Sequence, residues 1–119
     1  MPRYIIEFYE STSGQCPVEE AFDKIGRRSK KAGVKCDTYM ELLAEYGLAL
    51  TGQYLEKIED DMWALRPEYG NVEYRLLFTH LKRRKRFVIV HVIIGKKDQK
   101  LKTADIKRAR ERIKEVQGE

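Results

Sequence analysis

Cysteine is scarce in this sequence, with only Cys16 and Cys36 among 119 residues. They stand in no metal-ligand or redox spacing, and one pair of thiols in a chain of this size excludes a disulfide framework, so both are expected to be reduced bystanders. Long hydrophobic runs are missing as well. The longest, Phe87 to Ile94, is only strand-length and is interrupted by His91. The opening Met-Pro-Arg-Tyr-Ile-Ile-Glu-Phe-Tyr-Glu lacks the apolar core of a signal peptide, so a cytoplasmic location without a membrane partner is expected. No internal repeat or low-complexity segment is visible.

What the chain has in excess is positive charge, unevenly placed. The net charge is +5. From Lys82 to Glu119 there are 14 Lys and Arg against 5 Asp and Glu, whereas residues 1–81 hold 10 against 14, so the two parts carry +9 and −4. Such asymmetry favours a nucleic-acid or acidic protein partner over a small neutral ligand. A hydrophobic share of 42% with 36% charged residues fits an ordinary soluble globular protein rather than a disordered one. The length predicts one domain over residues 1–119.

Val72 to Lys97 organises the rest. Tyr74, Leu76 and Phe78 alternate with Glu73, Arg75 and Leu77, as in a strand with one well-buried side. Phe87 to Ile94 is apolar on both faces apart from His91 and reads as a central strand. Between them, Lys82-Arg83-Arg84-Lys85-Arg86 is too polar to bury and has the length of a hairpin link. One sheet thus carries Arg75 and a Gly95-Lys96-Lys97 terminus, a combination suited to polyanions.

Upstream, Tyr4 to Tyr9 predicts a first strand. Pro17 then opens a helix with Val18, Ala21, Phe22 and Ile25 on its apolar face, and Arg27, Arg28, Lys30 and Lys31 at its negative end. A second helix is expected after Gly33, either capped by Asp37 or begun a few residues before it, and stopped by Gly47; Tyr54-Leu55 and the acids Glu56, Glu59, Asp60 and Asp61 follow a loop. Met62 to Arg66 is a short strand stopped by Pro67, and Thr103 caps a last helix with Lys107, Arg108, Arg110, Arg112 and Lys114 opposite a narrow apolar stripe. The order β-α-α-β-β-β-α predicts an α+β fold with one mainly antiparallel sheet, an N-terminal helical hairpin and a C-terminal helix.

The run Trp63-Ala64-Leu65-Arg66, then Glu73-Tyr74-Arg75-Leu76-Leu77-Phe78, then His91 to Lys100, then a basic helix from Thr103 with Ile106 and Ala109, resembles the phage-derived Gp49-like branch of the RelE/HigB toxin superfamily. The pattern there is W-E-L-R, Y-R-[VL]-L-[FY], a strand ending F-x-K-K-T-Q-K-T-P and a helix starting E-I-x-x-A. The match covers about residues 55–116. Ala64 departs from it by replacing the acid, Ile94-Gly95 the aromatic, Asp98 the Thr and Thr103-Ala104 the Thr-Pro. Gly95-Lys96-Lys97 is closer to the Gly-Lys-Arg of RelE.

The resemblance implies a RelE-like fold and the toxin of a type II toxin–antitoxin pair that cleaves messenger RNA in the ribosomal decoding site. Its partners would be ribosome and message, a small helix-turn-helix antitoxin, and operator DNA only through that antitoxin. A gyrase inhibitor of the ParE kind, with the same fold and no nuclease activity, is the competing expectation, and a non-toxic basic RNA-binding module is the third. For RNA cleavage the nucleophile is the substrate's own 2′-OH, so the protein must align it, remove its proton, stabilise the phosphorane charge and protonate the leaving oxygen. No metal or cofactor is required. Arg75 is the expected charge stabiliser, with Lys96, Lys97 and Arg66 as phosphate contacts or proton-transfer groups. For Arg66 the other reading is a salt bridge to Glu68 or Glu73. Lys82, Arg83, Arg84, Lys85, Lys100 and Lys102 are the expected RNA-binding cations. The general base stays open among His91, His80, Glu73, Asp98 and Tyr74, with His91 reading more naturally as a satisfied core histidine. Trp63 and Tyr74 read as core rather than as base-stacking residues.

Overall fold

Pro17 has no amide hydrogen to leave unpaired and a φ already suited to a helix, and it stands at the first position of α1 (Pro17–Arg28). Glu19 and Glu20 in the first turn and Arg27 and Arg28 in the last each oppose the local pole of the helix dipole. A single residue then separates α1 from α2 (Lys30–Tyr46). Ser29 is extended, with φ −151° and ψ 108°, and its Oγ accepts a hydrogen bond from Ala32 N at 3.2 Å. This serine cap starts α2 well before the expected point after Gly33, and Asp37 lies inside the helix instead of capping it. Lys30 and Lys31 consequently belong to the first turn of α2, where they are exposed to water. Gly47 ends α2 as expected. Its φ of 59° and a would-be Cβ only 2.6 Å from the Tyr4 ring leave room for no other residue.

The computed structural model describes residues 3–50, 52–97 and 99–118. Its sheet contains β1 (Ile5–Phe8), β2 (Leu55–Glu59), β3 (Met62–Leu65), β4 (Glu68–Tyr69), β5 (Val72–Leu81) and β6 (Arg86–Lys96), in the order β1-β6-β5-β3-β2 with β4 beside the start of β5. Only β1 with β6 is parallel. The α+β class and the mainly antiparallel sheet stand, but the sheet has six strands rather than four. The acidic segment expected to follow a loop forms edge strand β2, where Lys57 and Glu59 face water while Leu55, Glu56 and Ile58 are part-buried. In the last helix, α3 (Thr103–Gln117), Thr103 is the first helical residue rather than the cap; Lys102 stands at the cap position and makes no side-chain cap hydrogen bond. No helix among the described residues is long and apolar enough to cross a membrane.

The helical hairpin covers one face of the sheet and α3 the other, which is why both sides of β5 are dry: Leu76, Leu77 and Phe78 are all fully buried. Tyr74 lies on the hairpin side, and burial foremost raises its phenol above the ordinary value, so it stays protonated at neutral pH. Trp63 packs against Phe78 with ring centroids 6.1 Å apart. Cys36 is buried, and that burial pushes its thiol up to about 12.

One irregularity decides the location of the site. Leu77 pairs with His91, but Phe78 pairs with Ile89, so Val90 is an extra residue in β6. Such a bulge reverses the alternation beyond it. Phe87 and Ile89 face the helical hairpin, whereas His91 and Ile93 turn to the face covered by α3. An unbroken strand, as read from the sequence, would have put all four on one side.

His80 stays with the hairpin, stacked on Phe87 at 4.5 Å and edge-on to Tyr4 at 6.0 Å. Burial first and Lys82 second lower its pKa from the ordinary 6.5, so the folded protein binds this proton less readily than the unfolded chain. The stability that neutral His80 permits is therefore complete above about pH 6.5 and declines as pH falls from there to the lower folded value. Across that window the melting temperature of the wild type should drop more than that of His80→Phe, which keeps the stack without the titration; parallel curves would show that His80 does not couple to folding.

Candidate active site

β5 and β6 end side by side, with Val72 opposite Lys96 and Glu73 opposite Gly95, and the chain then turns back over this end into α3. Gln99 makes the turn tight. Its Oε1 accepts from Lys96 N at 3.1 Å, and its own amide donates to Lys96 O at 3.2 Å. A Cβ on Gly95 would lie 2.7 Å from that Oε1, so a larger residue there would displace the Gln99 side chain. Between the sheet and this turn lies a cleft of about 280 Å³.

The cleft brings Arg75, Lys96, Lys100 and Lys102 together with Glu73, His91 and Asp105. Arg75 is largely buried, with a side chain 12% exposed, and its Nε donates to Glu73 Oε1 at 3.0 Å. Glu73 itself is 5% exposed, and its second oxygen lies 3.5 Å from Arg66 Nη2. One buried carboxylate thus holds the heads of two arginines. Among the described residues the Nη groups of Arg75 have no hydrogen-bond partner, so the fork that can meet two phosphate oxygens is free while its stem is fixed.

Not every expected residue shares this place. Arg66 lies on the far side of Glu73, in a neighbouring cleft with Lys35, Tyr39, Gln53 and Glu68, and within 4.0 Å of Glu56; it is a counter-ion of the glutamate rather than a lining residue here. Lys97 is drawn outside by Glu68, 3.3 Å from its Nζ. Lys82, Arg83, Arg84 and Lys85 are exposed around a short 3-10 turn at the opposite end of the β5–β6 hairpin. Seven residues of strand separate Arg75 from Lys82, roughly 20 Å. Lys100 and Lys102, expected as RNA-binding cations, line the same cleft as Arg75. Asp98 lies outside the described residues.

His91 is the residue the sequence placed least well. It is neither core nor free: Nε2 is 2.8 Å from Asp105 Oδ1, and Nδ1 is 3.4 Å from Arg112 Nη1. That same Nη1 donates to Val90 O at 2.8 Å, the carbonyl of the bulge. The Arg112 guanidinium also lies over the Tyr9 ring at 5.0 Å, and Tyr9 donates to Glu115 at 2.8 Å. Arg110 is bound to Glu59 at the tip of the β2–β3 hairpin. Two cations of the expected free face of α3 are therefore structural ties, leaving Lys107, Arg108 and Lys114 exposed. Asp105 and Arg112 were not expected at the site. The one sequence signal for Asp105 was that it precedes Ile106 where the family pattern has its E-I pair.

Among the described residues no group of His, Cys, Asp and Glu is placed to hold a metal ion. The lining suits anchoring a phosphodiester: four cations, Arg75, Lys96, Lys100 and Lys102, share the cleft with the His91–Asp105 pair. Glu73→Ala should leave Arg75 unanchored and lower stability by about 2 kcal/mol, below the usual cost of breaking a buried pair because both guanidiniums keep some water. Urea unfolding checks this, and a change below about 0.5 kcal/mol would mean that the pair contributes no more than a surface contact.

No curated protein matches the chain. A family model does: that of the phage-derived Gp49-like proteins (DUF891), over residues 23–114. The match spans more than three-quarters of the sequence and includes every residue of the cleft, so the chain belongs to the Gp49-like family, in the branch of the RelE/HigB toxin superfamily that its motifs resemble.

Proposed function

We propose that the protein, acting as one domain over residues 1–119, is the toxin of a type II toxin–antitoxin pair and cleaves messenger RNA on the ribosome. The observation that carries this reading is Arg75, fixed through Nε by a buried Glu73, with its fork open to a cleft that also holds Lys96, Lys100 and Lys102. In RNA cleavage by the adjacent 2′-OH, negative charge grows on the phosphorane oxygens. A preorganised guanidinium that needs no reorientation stabilises that charge at the moment of reaction. Lys96 and its neighbours neutralise the scissile phosphate or supply the proton for the leaving 5′-oxygen. Alignment of the message is left to the ribosome.

The Lys82–Lys85 turn, at the far end of the hairpin, is then a second contact, to ribosomal RNA rather than to the scissile site. Neutralising Lys82, Arg83 and Lys85 together should reduce the slope of log affinity against log salt by about 2, at roughly 0.7 for each lost phosphate contact. An unchanged slope would make the turn a solvated loop. A helix-turn-helix antitoxin is the expected inhibitor, contacting operator DNA on the toxin's behalf, with both proteins in the cytoplasm.

Expression of the wild type should arrest growth and leave cut messages on translating ribosomes, while purified protein barely cuts naked RNA. Arg75→Ala should abolish toxicity in a folded protein. Lys97→Ala should remain toxic, because its exposed pair with Glu68 lies outside the cleft and contributes under about 1 kcal/mol. Primer extension on ribosome-bound message, run beside a gyrase supercoiling assay, decides the matter. Intact message with blocked supercoiling would reject the nuclease in favour of a gyrase inhibitor; toxic Arg75→Ala would show the site to be elsewhere.

A further inference from the structure

The nuclease reading leaves one step unassigned, the removal of the 2′-OH proton. On that reading, we propose that Asp105 is the general base and that His91 is its positioning residue. The usual division of labour in a carboxylate–imidazole pair is reversed here. Arg112 can only donate, so His91 Nδ1, 3.4 Å from Nη1, faces it as an acceptor; the ring proton is then on Nε2 and is donated to Asp105 Oδ1 at 2.8 Å. Neither ring nitrogen remains for a substrate. The free valence of the pair is Asp105 Oδ2, which has no hydrogen-bond partner among the described residues, on a side chain that lines the cleft beside Arg75, Lys96 and Lys102.

Three elements fix this oxygen. Asp105 sits in the first turn of α3, with its amide donating to Lys102 O at 3.1 Å, so the backbone that carries it is part of a helix end. The Val90 bulge turns His91 toward it, and Arg112 ties bulge, imidazole and helix into one unit. The other candidates among the described residues are placed less well. Glu73 is occupied by Arg75 and Arg66, His80 faces the opposite side of the sheet, and the Tyr74 phenol is raised by burial. The step balances within the cleft: the 2′-hydroxyl proton passes to Asp105 Oδ2 as the 2′-oxygen bonds to phosphorus, the bond from phosphorus to the 5′-oxygen breaks, and that oxygen takes a proton from the Lys96 ammonium. The products are a 2′,3′-cyclic phosphate and a 5′-hydroxyl; solvent returns a proton to Lys96 and removes one from Asp105.

The test is single-turnover cleavage of a defined message on programmed ribosomes, as a function of toxin concentration and pH, by the full chain. Asp105→Asn keeps an oxygen to accept from His91 and should fold, which thermal denaturation checks. Its maximal rate should fall by about 10² to 10⁴, with the half-saturating toxin concentration unchanged. The pH profile of the rate should differ between the wild type and the Asn variant. His91→Gln, which can still donate to Oδ1, should retain most of the rate, while His91→Ala loses about tenfold in the maximal rate rather than in half-saturation. If Asp105→Asn cleaves within threefold of the wild type, keeps the same pH profile or loses only binding, Asp105 is a helix-end residue and the assignment is overturned. If the wild type itself leaves ribosome-bound message intact, the nuclease reading falls, and this assignment with it.

Discussion

The contact on which most of this architecture depends is the bond from Arg112 to the carbonyl of Val90. A β-bulge leaves one residue of a strand without its partner across the ladder, and here that residue is fully buried in the middle of the sheet. A buried carbonyl without a donor would cost about 1–3 kcal/mol. Arg112 supplies the donor, and it does so from α3, so the cost of the bulge is met by the helix that the bulge helps to position. Tyr9 strengthens the tie from a third direction. Burial foremost, and then its bond to Glu115, raise the Tyr9 phenol, which keeps it a donor at neutral pH.

The same economy governs the other cations. A chain with 24 Lys and Arg presents many candidates for binding a polyanion, but the fold spends several of them on itself. Arg66 is a counter-ion to Glu73, Arg86 to Glu7, Arg110 to Glu59 and Lys97 to Glu68. Among the rest, two groups stand apart from the helix surfaces: the cleft with Arg75, Lys96, Lys100 and Lys102, and the turn at the other end of the hairpin. The first is concave and includes a carboxylate–imidazole pair; the second is convex and purely basic. This contrast separates a site for chemistry from a surface for adhesion better than charge alone does.

The fold was legible in the sequence wherever one local signal dominated. Pro17 with its acids and Gly47 marked helix ends, and the alternation through Tyr74, Leu76 and Phe78 marked β5. The early start of α2 was hidden because a lone Ser29 between two basic residues looks like a continuing helix. β2 was hidden because an edge strand tolerates charge. At the site, Arg75 and Lys96 could be picked out from motif and strand position, and a salt bridge of Arg66 to Glu73 was one of its two readings; the place of Lys97 depends on Glu68, which lies across the sheet and not along the chain. His91 was read as satisfied, which its two partners bear out, but its face could not be read, since one extra residue in β6 moves it from one face to the other and no residue type announces a bulge.

The tautomer of His91 tests this account most directly, because it depends at once on the bulge, on Arg112 and on Asp105. A long-range proton–nitrogen correlation spectrum of the imidazole at neutral pH, assigned by comparison with a His91 variant, reads it out. The account predicts a proton on Nε2 and a bare Nδ1. A proton on Nδ1, or the averaged signals of a freely turning ring, would contradict the clamp and the cleft built on it.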